Sequence, residues 1–326
     1  VGASTSVIFL ILGFCNGCCG GFGIPVAQKF GARDYITMRR YVAVSLQLAA
    51  VMSVVLAVVT SICCADILRM MRTPDNIFTG AYYYLLVTFI GVPCTFFYNL
   101  LSSIIRALGD SKTPFWFLLV VVALDMALNP LLTFGWGPVP RMGIQGSAVA
   151  TLIANAVSFA ALLGWLRLRR HPLWIGRRQL GLFKPDLTIV RTLVVKGLPM
   201  GVQIVMISLA MIAMISMVNE HGVQTASAYS AALQLWTYVQ MPAMAIGAAC
   251  SSMAAQNVGA GLWKRVDATA RAGMLINVLL TGGLIVLILL LDRHVLGWFL
   301  PTGSASLEVA RHLNHIAIGS FLFFGV

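Results

Sequence analysis

Long apolar stretches alternate with short polar ones along almost the whole chain. Nine stretches are long enough to cross a hydrocarbon core of roughly 30 Å, which takes about 20 helical residues. The strict two-residue alternation of membrane strands is missing from them, so helices are the predicted spanning form. The nine predicted helices lie near 3–28, 42–63, 78–104, 114–136, 143–166, 192–218, 225–255, 272–291 and 307–326.

Composition and charge agree with this pattern. Of the 326 residues, 59% are hydrophobic and only 10% are charged, against roughly 25% charged in soluble domains. The net charge of +12 does not indicate a nucleic-acid partner, because the basic residues alternate by loop, with 17 on one side of the predicted membrane and 5 on the other. By the positive-inside rule the richer side is cytoplasmic. We expect a multi-pass membrane protein.

The chain also contains an internal repeat. Ala27-Gln28-x-x-Gly31-Ala32 recurs as Ala255-Gln256-x-x-Gly259-Ala260. Six predicted crossings separate the copies, so the halves share one orientation and form a parallel repeat. This predicts a first bundle over 1–170, a basic cytoplasmic linker over 171–191 and a second bundle over 192–326. The repeat period further predicts that a complete protein has twelve helices, with one more helix before this chain and two after it.

Five short motifs follow one another along the chain. They are Ala27-Gln28-x-x-Gly31-Ala32, Arg106-Ala107-Leu108-Gly109-Asp110-Ser111-Lys112-Thr113-Pro114, Leu128-Asn129-Pro130 before Phe134-Gly135, Gly146-Ser147-Ala148-Val149-Ala150-Thr151, and Met253-Ala254-Ala255-Gln256-Asn257-Val258-Gly259-Ala260. In this order the motifs resemble those of the multidrug and toxic compound extrusion (MATE) family of secondary transporters. The resemblance implies an all-α polytopic fold of two parallel six-helix bundles, about nine of whose twelve helices are visible here.

The resemblance also implies a function. Members of this family export organic, often cationic, compounds in exchange for protons or sodium ions, by alternating access. We therefore expect a drug-like small molecule and the lipid bilayer as partners, no nucleic acid, no enzymatic activity and no cofactor. We expect the protein to be monomeric and to lie in a bacterial inner membrane.

One acidic residue is placed unlike the other nine. Asp125 lies deep inside its predicted helix, where an ionised carboxylate costs at least ~3 kcal/mol and usually faces a cavity or a proton path. Asn129 lies four residues further on, on the same helix face. In proton-coupled family members this helix resembles Asn-x-x-x-Asp, an order that is reversed here, and the next helix supplies a Thr that matches Thr151.

These three residues are the predicted ion site. We expect Asp125, Asn129 and Thr151 to bind the coupling proton, with sodium as the other option. Some sodium-coupled members carry a Glu in the seventh helix where this chain has Ile207, which counts against that option. The alternative is that Asp125 is an inert acid, satisfied by neighbouring hydroxyl and amide groups.

Polar and aromatic residues inside other predicted helices are candidates for the substrate path. Tyr98 and Asn99 are expected to reach a cavity in the first half, and Gln234, Tyr238 and Met241 to line the path in the second half. The alternative is that such side chains bond helices to one another, which is their common use in lipid.

Two other functions stay open. A lipid-linked oligosaccharide flippase of the same superfamily would keep the fold, but such proteins tend to line their cavity with several Arg, and no Lys or Arg lies in the middle of a predicted helix. A membrane-embedded hydrolase is least favoured, because it needs clustered His, Asp or Ser at membrane depth. Cys15-x-x-Cys18 imitates a metal-binding pair, but no His or second Cys pair lies beside it, so we expect packing residues and no metal.

Overall fold

The computed structural model describes residues 2–70, 75–135, 141–175, 181–184, 186–300 and 305–321. These residues form eleven α-helices and no strand. The helices are α1 (Gly2–Gly31), α2 (Tyr35–Ile62), α3 (Cys64–Met70), α4 (Asp75–Ala107), α5 (Lys112–Phe134), α6 (Ile144–Leu168), α7 (Leu187–Asn219), α8 (Val223–Gly259), α9 (Trp263–Leu290), α10 (Asp292–Leu296) and α11 (Ala305–Ala317), and a 3-10 turn follows at Ile318–Ser320.

Each predicted helix has a counterpart. Within the described residues, seven helices are long and apolar enough to cross a membrane, namely α1, α2, α4, α5, α6, α7 and α9. With 37 residues α8 is also long enough, but its Gln, Ser and Thr side chains lower its hydropathy, and it does not belong to that group. The predicted helix near 307–326 is confirmed in part, since α11 ends at Ala317 and residues 322–326 lie outside the described ranges. The short helices α3 and α10 were not predicted, because a few apolar residues do not distinguish a short helix from a helix end.

The described helices belong to two compact units, Val1–Ser208 and Leu209–Val326. The linker at 171–191 and most of α7 therefore fall in the first unit. The predicted boundaries of the two bundles concern the complete repeat and stay a prediction. Within the predicted first bundle and linker, residues 71–74, 136–140, 176–180 and 185 lie outside the described ranges.

In the first unit, α4 occupies the centre. It packs against α1, α2 and α6, while α5 pairs with α6. The largest side chains fully buried here include Phe22 of α1 and Phe89 and Phe96 of α4. Burying such rings away from the bilayer fixes which face of each helix points inward, because close packing rather than water exclusion holds helices together in lipid.

A seam of glycines joins α1 to the first part of α7. A Cβ atom on Gly17 would lie 2.7 Å from the Cα atom of Gly201, and one on Gly21 would overlap the Cα atom of Gly197. Both helices therefore carry a Gly-x-x-x-Gly pair, and the pairs face each other. Small residues at this spacing let two backbones approach closely. At the end of α1, Lys196 Nζ donates a hydrogen bond to Gln28 Oε1 at 3.2 Å.

The described parts of the linker are held against α2. Arg39 Nε donates to the carbonyl of Pro172 at 2.7 Å, and Gln47 Nε2 donates to the carbonyl of Phe183 at 2.7 Å. A longer ion pair of 3.5 Å joins Arg40 to Asp186. The described parts of the linker thus lie along the N-terminal part of α2, a contact that the sequence did not indicate.

A carboxylate caps the helix that carries the predicted ion site. Asp110 Oδ1 accepts a hydrogen bond from the backbone N–H of Thr113 at 3.0 Å, in the first turn of α5. Partial burial raises the pKa of Asp110, but hydrogen bonds from Thr113 and Lys112 and the nearby His171 outweigh it and hold that pKa below its usual range. Capping of this kind satisfies one of the free N–H groups at a helix start.

In the second unit, α8 packs against α9 and α11. Leu235, Trp236 and Val239 of α8 are buried in this core. Trp236 Nε1 donates to Asn314 Oδ1 at 3.1 Å, which satisfies the indole N–H inside an apolar environment and fixes the rotation of α8 relative to α11.

Candidate functional site

Close packing of α5 on α6 brings the predicted ion-site residues together. A Cβ atom on Gly146 would lie 2.6 Å from the backbone carbonyl of Leu132, so α6 approaches α5 more closely than a larger residue would permit. Within this pair, Thr151 Oγ1 donates a hydrogen bond to Asp125 Oδ1 at 2.8 Å. The carboxylate and the hydroxyl were predicted from separate helices, and the structure places them in contact.

The third predicted residue lies one turn along α5. Asn129 Nδ2 donates to Ser147 Oγ of α6 at 3.0 Å, and Thr133 Oγ1 donates to Asn129 Oδ1 at 3.2 Å. Asp125 and Asn129 therefore belong to one polar face between two helices. Each makes its own contact with α6.

Sequence reasoning missed Thr133 and Ser147. Both could have been found from helical periodicity, because Thr133 lies four residues after Asn129 and Ser147 lies four residues before Thr151. In the sequence, Ser147 is part of the motif Gly146-Ser147-Ala148-Val149-Ala150-Thr151. Its hydroxyl in fact links that motif to α5.

The Thr151 hydroxyl lies near two acceptors. Besides Asp125 Oδ1, the backbone carbonyl of Ser147 lies 3.2 Å from Thr151 Oγ1. An ionised carboxylate accepts hydrogen bonds only, whereas a protonated one also donates. The hydroxyl can therefore donate its hydrogen bond to Asp125 when the acid is charged, and to the Ser147 carbonyl when the acid is neutral.

The acid is accessible from outside this helix pair. Asp125 and Asn129 are half-buried and Thr151 is exposed. Tyr84 of α4 lies within electrostatic range of Asp125. A carboxylate that has one protein donor and remains reachable can exchange a proton or meet a cation, which a fully enclosed acid cannot do.

The candidates for the substrate path fall into different environments. Tyr98 is only 5% exposed and packs within the core of the first unit, and Asn99 is half-buried. On α8, Gln234, Tyr238 and Met241 all lie on an exposed face, and Gln234 Nε2 donates to Tyr238 Oη at 3.3 Å.

The exposed face of α8 leads into an open groove. A cavity of about 470 Å³ lies at the turn between α7 and α8, and its lining includes Ser227 and Ser230. These serines precede Gln234 by seven and four residues, so they continue its helix face. The full lining is Asn219, Gly222, Val223, Ala226, Ser227 and Ser230.

The cysteines of α1 lie inside the first unit. Cys15, Cys18 and Cys19 are each at most 2% exposed, and Cys18 Sγ lies beside Gly201 at the glycine seam. Across the described ranges, no group of three or more His, Cys, Asp or Glu side chains is arranged to hold a metal ion.

Comparison with known proteins identifies the family. The sequence profile of the MatE family matches residues 1–131 and 199–326, which is more than half of the chain. The chain belongs to the MATE family. This family consists of transporters, so the alternative of a membrane-embedded enzyme is set aside, and the predicted location in a bacterial inner membrane is confirmed by the same match.

Two relatives from Bacillus subtilis (strain 168) share substantial sequence with this MATE protein. It is 36% identical to the probable multidrug resistance protein YoeA over 98% of its own length and 69% of that protein. It is 32% identical to the probable multidrug resistance protein YpnP over 81% of its own length and 57% of that protein. The chain thus spans 69% and 57% of the lengths of these two relatives.

Solved structures confirm the fold. The whole chain superposes on 72% of a MATE chain crystallised in complex with MaL6, with a TM-score of 0.88 at 21% sequence identity. The whole chain also superposes on 73% of an outward-facing MATE transporter, with a TM-score of 0.85 at 20% sequence identity. The predicted all-α membrane architecture is therefore confirmed.

Proposed function

We propose that the protein exports organic, cationic or amphipathic compounds in exchange for protons, and that Asp125 carries the coupling proton. The observation that supports this most is the 2.8 Å hydrogen bond from Thr151 to Asp125, between two helices and about midway along α5. A carboxylate at that depth is retained despite its insertion cost, which is typical of proton pathways in transporters.

Protonation would change the contact between α5 and α6. When Asp125 is charged, Thr151 donates to it and draws the two helices together at this point. When Asp125 takes up a proton from outside, it no longer requires that donor, and the hydroxyl turns to the Ser147 carbonyl 3.2 Å away. The rearranged pocket releases substrate, and loss of the proton to the cytoplasm resets it.

Coupling requires that the two protonation states bind substrate differently. A cationic compound meets a carboxylate in one state and a neutral acid in the other, so it competes with the proton for Asp125. The half-buried Asn129 fixes the neighbouring turn through Ser147, which keeps the acid aligned with α6. Gln234, Tyr238 and Met241 offer an amide, a phenol and a thioether to a passing substrate on α8.

The proposal is tested in proteoliposomes loaded with the dye ethidium, with an imposed pH gradient and, separately, an imposed sodium gradient. Asp125→Asn keeps the size of the side chain but cannot release a proton, so we expect it to lose pH-driven efflux. Asp110→Asn is the matched control, because the amide oxygen can still accept from Thr113 and the residue lies outside the site. Full pH-driven efflux by Asp125→Asn rules out the proposal, and efflux driven only by sodium reassigns the coupling ion.

A further inference from the structure

Two arginines at cytoplasmic helix ends have a backbone conformation that arginine rarely adopts. Arg33, after α1, has φ of 58°, and Arg170, after α6, has φ of 47°; no other non-glycine residue in the described ranges has a positive φ. At each end the following residue donates its N–H to the carbonyl five residues earlier, at 3.0 Å. This helix ending places its last residue in the left-handed region, where a Cβ atom is crowded and glycine is usual.

Other cytoplasmic ends of this chain use glycine at the same place. Gly109 follows α4 with φ of 94°, and Gly261 follows α8 with φ of 70°. Gly261 also follows the second Ala-Gln-x-x-Gly-Ala element as Arg33 follows the first. The two halves therefore differ at an equivalent turn, where the first half has an arginine in a backbone conformation that glycine adopts without strain.

The helix dipole does not account for these cations. A basic residue near a helix C-terminus is favourable, but Lys29 already occupies the last turn of α1, and Arg167 that of α6. Complementing the dipole therefore does not require a further arginine in a strained position.

The surroundings of both arginines fit the membrane interface. Both side chains are exposed, and large aliphatic side chains nearby are exposed as well, Ile36 at 72% and Leu168 at 85%. Within the described part of the chain, the ion pairs of 4.0 Å or less leave both guanidinium groups without a carboxylate partner. Arg40, by contrast, pairs with Asp186 of the linker.

We propose that Arg33 and Arg170 each bind the phosphate of an acidic phospholipid in the inner leaflet. The planar guanidinium donates two parallel hydrogen bonds to phosphate oxygens, while the exposed Ile36 and Leu168 contact the adjoining acyl chains. The aliphatic contact favours a lipid over a soluble anion, and inner-leaflet surface charge attracts basic groups at this depth. Within the described ranges, arginines with a positive φ lie in the first unit only.

Thermal unfolding of the purified protein in nanodiscs tests the proposal. The double variant Arg33→Gly, Arg170→Gly relieves the strain, so in phosphatidylcholine we expect its Tm to rise by about 2 °C. We expect added phosphatidylglycerol to raise the Tm of the wild type, and this lipid-dependent rise to fall by at least half in the double variant. A double lysine variant keeps both the strain and the charge but loses the planar pair of donors, so it should retain only part of the rise in Tm.

The matched control is Arg169→Gln, which removes a neighbouring charge where φ is an ordinary −80°. This variant should show the full rise in Tm when phosphatidylglycerol is added. The proposal is overturned if phosphatidylglycerol raises the Tm of the double glycine variant as much as that of the wild type. It is also overturned if Arg169→Gln loses as much of this rise as the double glycine variant does. Stabilisation of the wild type by inorganic phosphate in phosphatidylcholine discs, to the same extent, would identify a site for a free anion and overturn the lipid assignment.

Discussion

At the scale of single residues, the Thr151 hydroxyl is the group that can sense the charge of Asp125. Thr151→Val keeps the shape of the side chain but removes the donor that lies 2.8 Å from Asp125. A hydrogen bond to a charged group is worth about 1.5–3 kcal/mol, so we expect pH-driven efflux to fall by about tenfold or more. Thr151→Ser retains the hydroxyl and should recover most of the rate. Equal rates for the valine and serine variants would show that the hydroxyl takes no part.

The same site shows what the sequence could and could not predict at this scale. Asp125 was recognisable because a carboxylate in an apolar helix is costly, and Asn129 followed from helical spacing. The bond from Asn129 to Ser147 was not predictable, because it depends on how closely Gly146 lets α6 approach Leu132, and that distance is a property of packing rather than of pattern.

At the scale of helices, the glycine seam between α1 and α7 depends on the absence of side chains. Gly17→Ala would place a Cβ atom 2.7 Å from the Cα atom of Gly201, and overpacking of this kind costs about 1–3 kcal/mol. We expect a lower Tm in detergent. The control is Gly164→Ala on α6, where a Cβ atom would meet nothing within 4 Å and the better helix propensity should stabilise by about 0.5–1 kcal/mol. Similar changes in Tm for Gly17→Ala and Gly164→Ala would contradict close packing at the glycine seam.

A second prediction for a helix concerns the cap of α5. The lowered pKa of Asp110 means that its ionised form stabilises the folded state. That stabilisation is complete above the ordinary carboxyl pKa of about 3.9 and is lost as the pH falls through the lower pKa of the folded protein. Asp110→Asn should therefore flatten the dependence of Tm on pH below about 3.9 without removing the cap. Parallel pH profiles for wild type and variant would contradict this.

Helix positions were predicted well because apolar run length sets where a span begins and ends. The position of the linker against α2 was not predicted, because it depends on tertiary contacts such as the hydrogen bond from Arg39 to the Pro172 carbonyl. The exposed face of α8 could not be predicted for the same reason. Its length was predicted, but which of its faces is exposed depends on Trp236 being buried against Asn314.

At the scale of the whole molecule, the repeat and the charge distribution make one prediction about topology. Lys112, Lys264 and Glu220 are all exposed. The charge distribution predicts that both lysines face the cytoplasm and that Glu220 lies on the opposite side. In a background in which the native cysteines are replaced, Lys112→Cys and Lys264→Cys should react with an impermeant maleimide from the cytoplasmic face only. Glu220→Cys should react from the outer face. Labelling of the two lysine positions from opposite faces would contradict the parallel repeat.

The central claim is that a proton and a cationic substrate compete for Asp125. The most direct measurement adds ethidium to the purified protein in weakly buffered solution and records the protons released, together with the dye bound. We predict that the wild type releases about one proton for each cation that binds, and that Asp125→Asn binds dye with no release. Equal proton release by the wild type and Asp125→Asn would contradict the account.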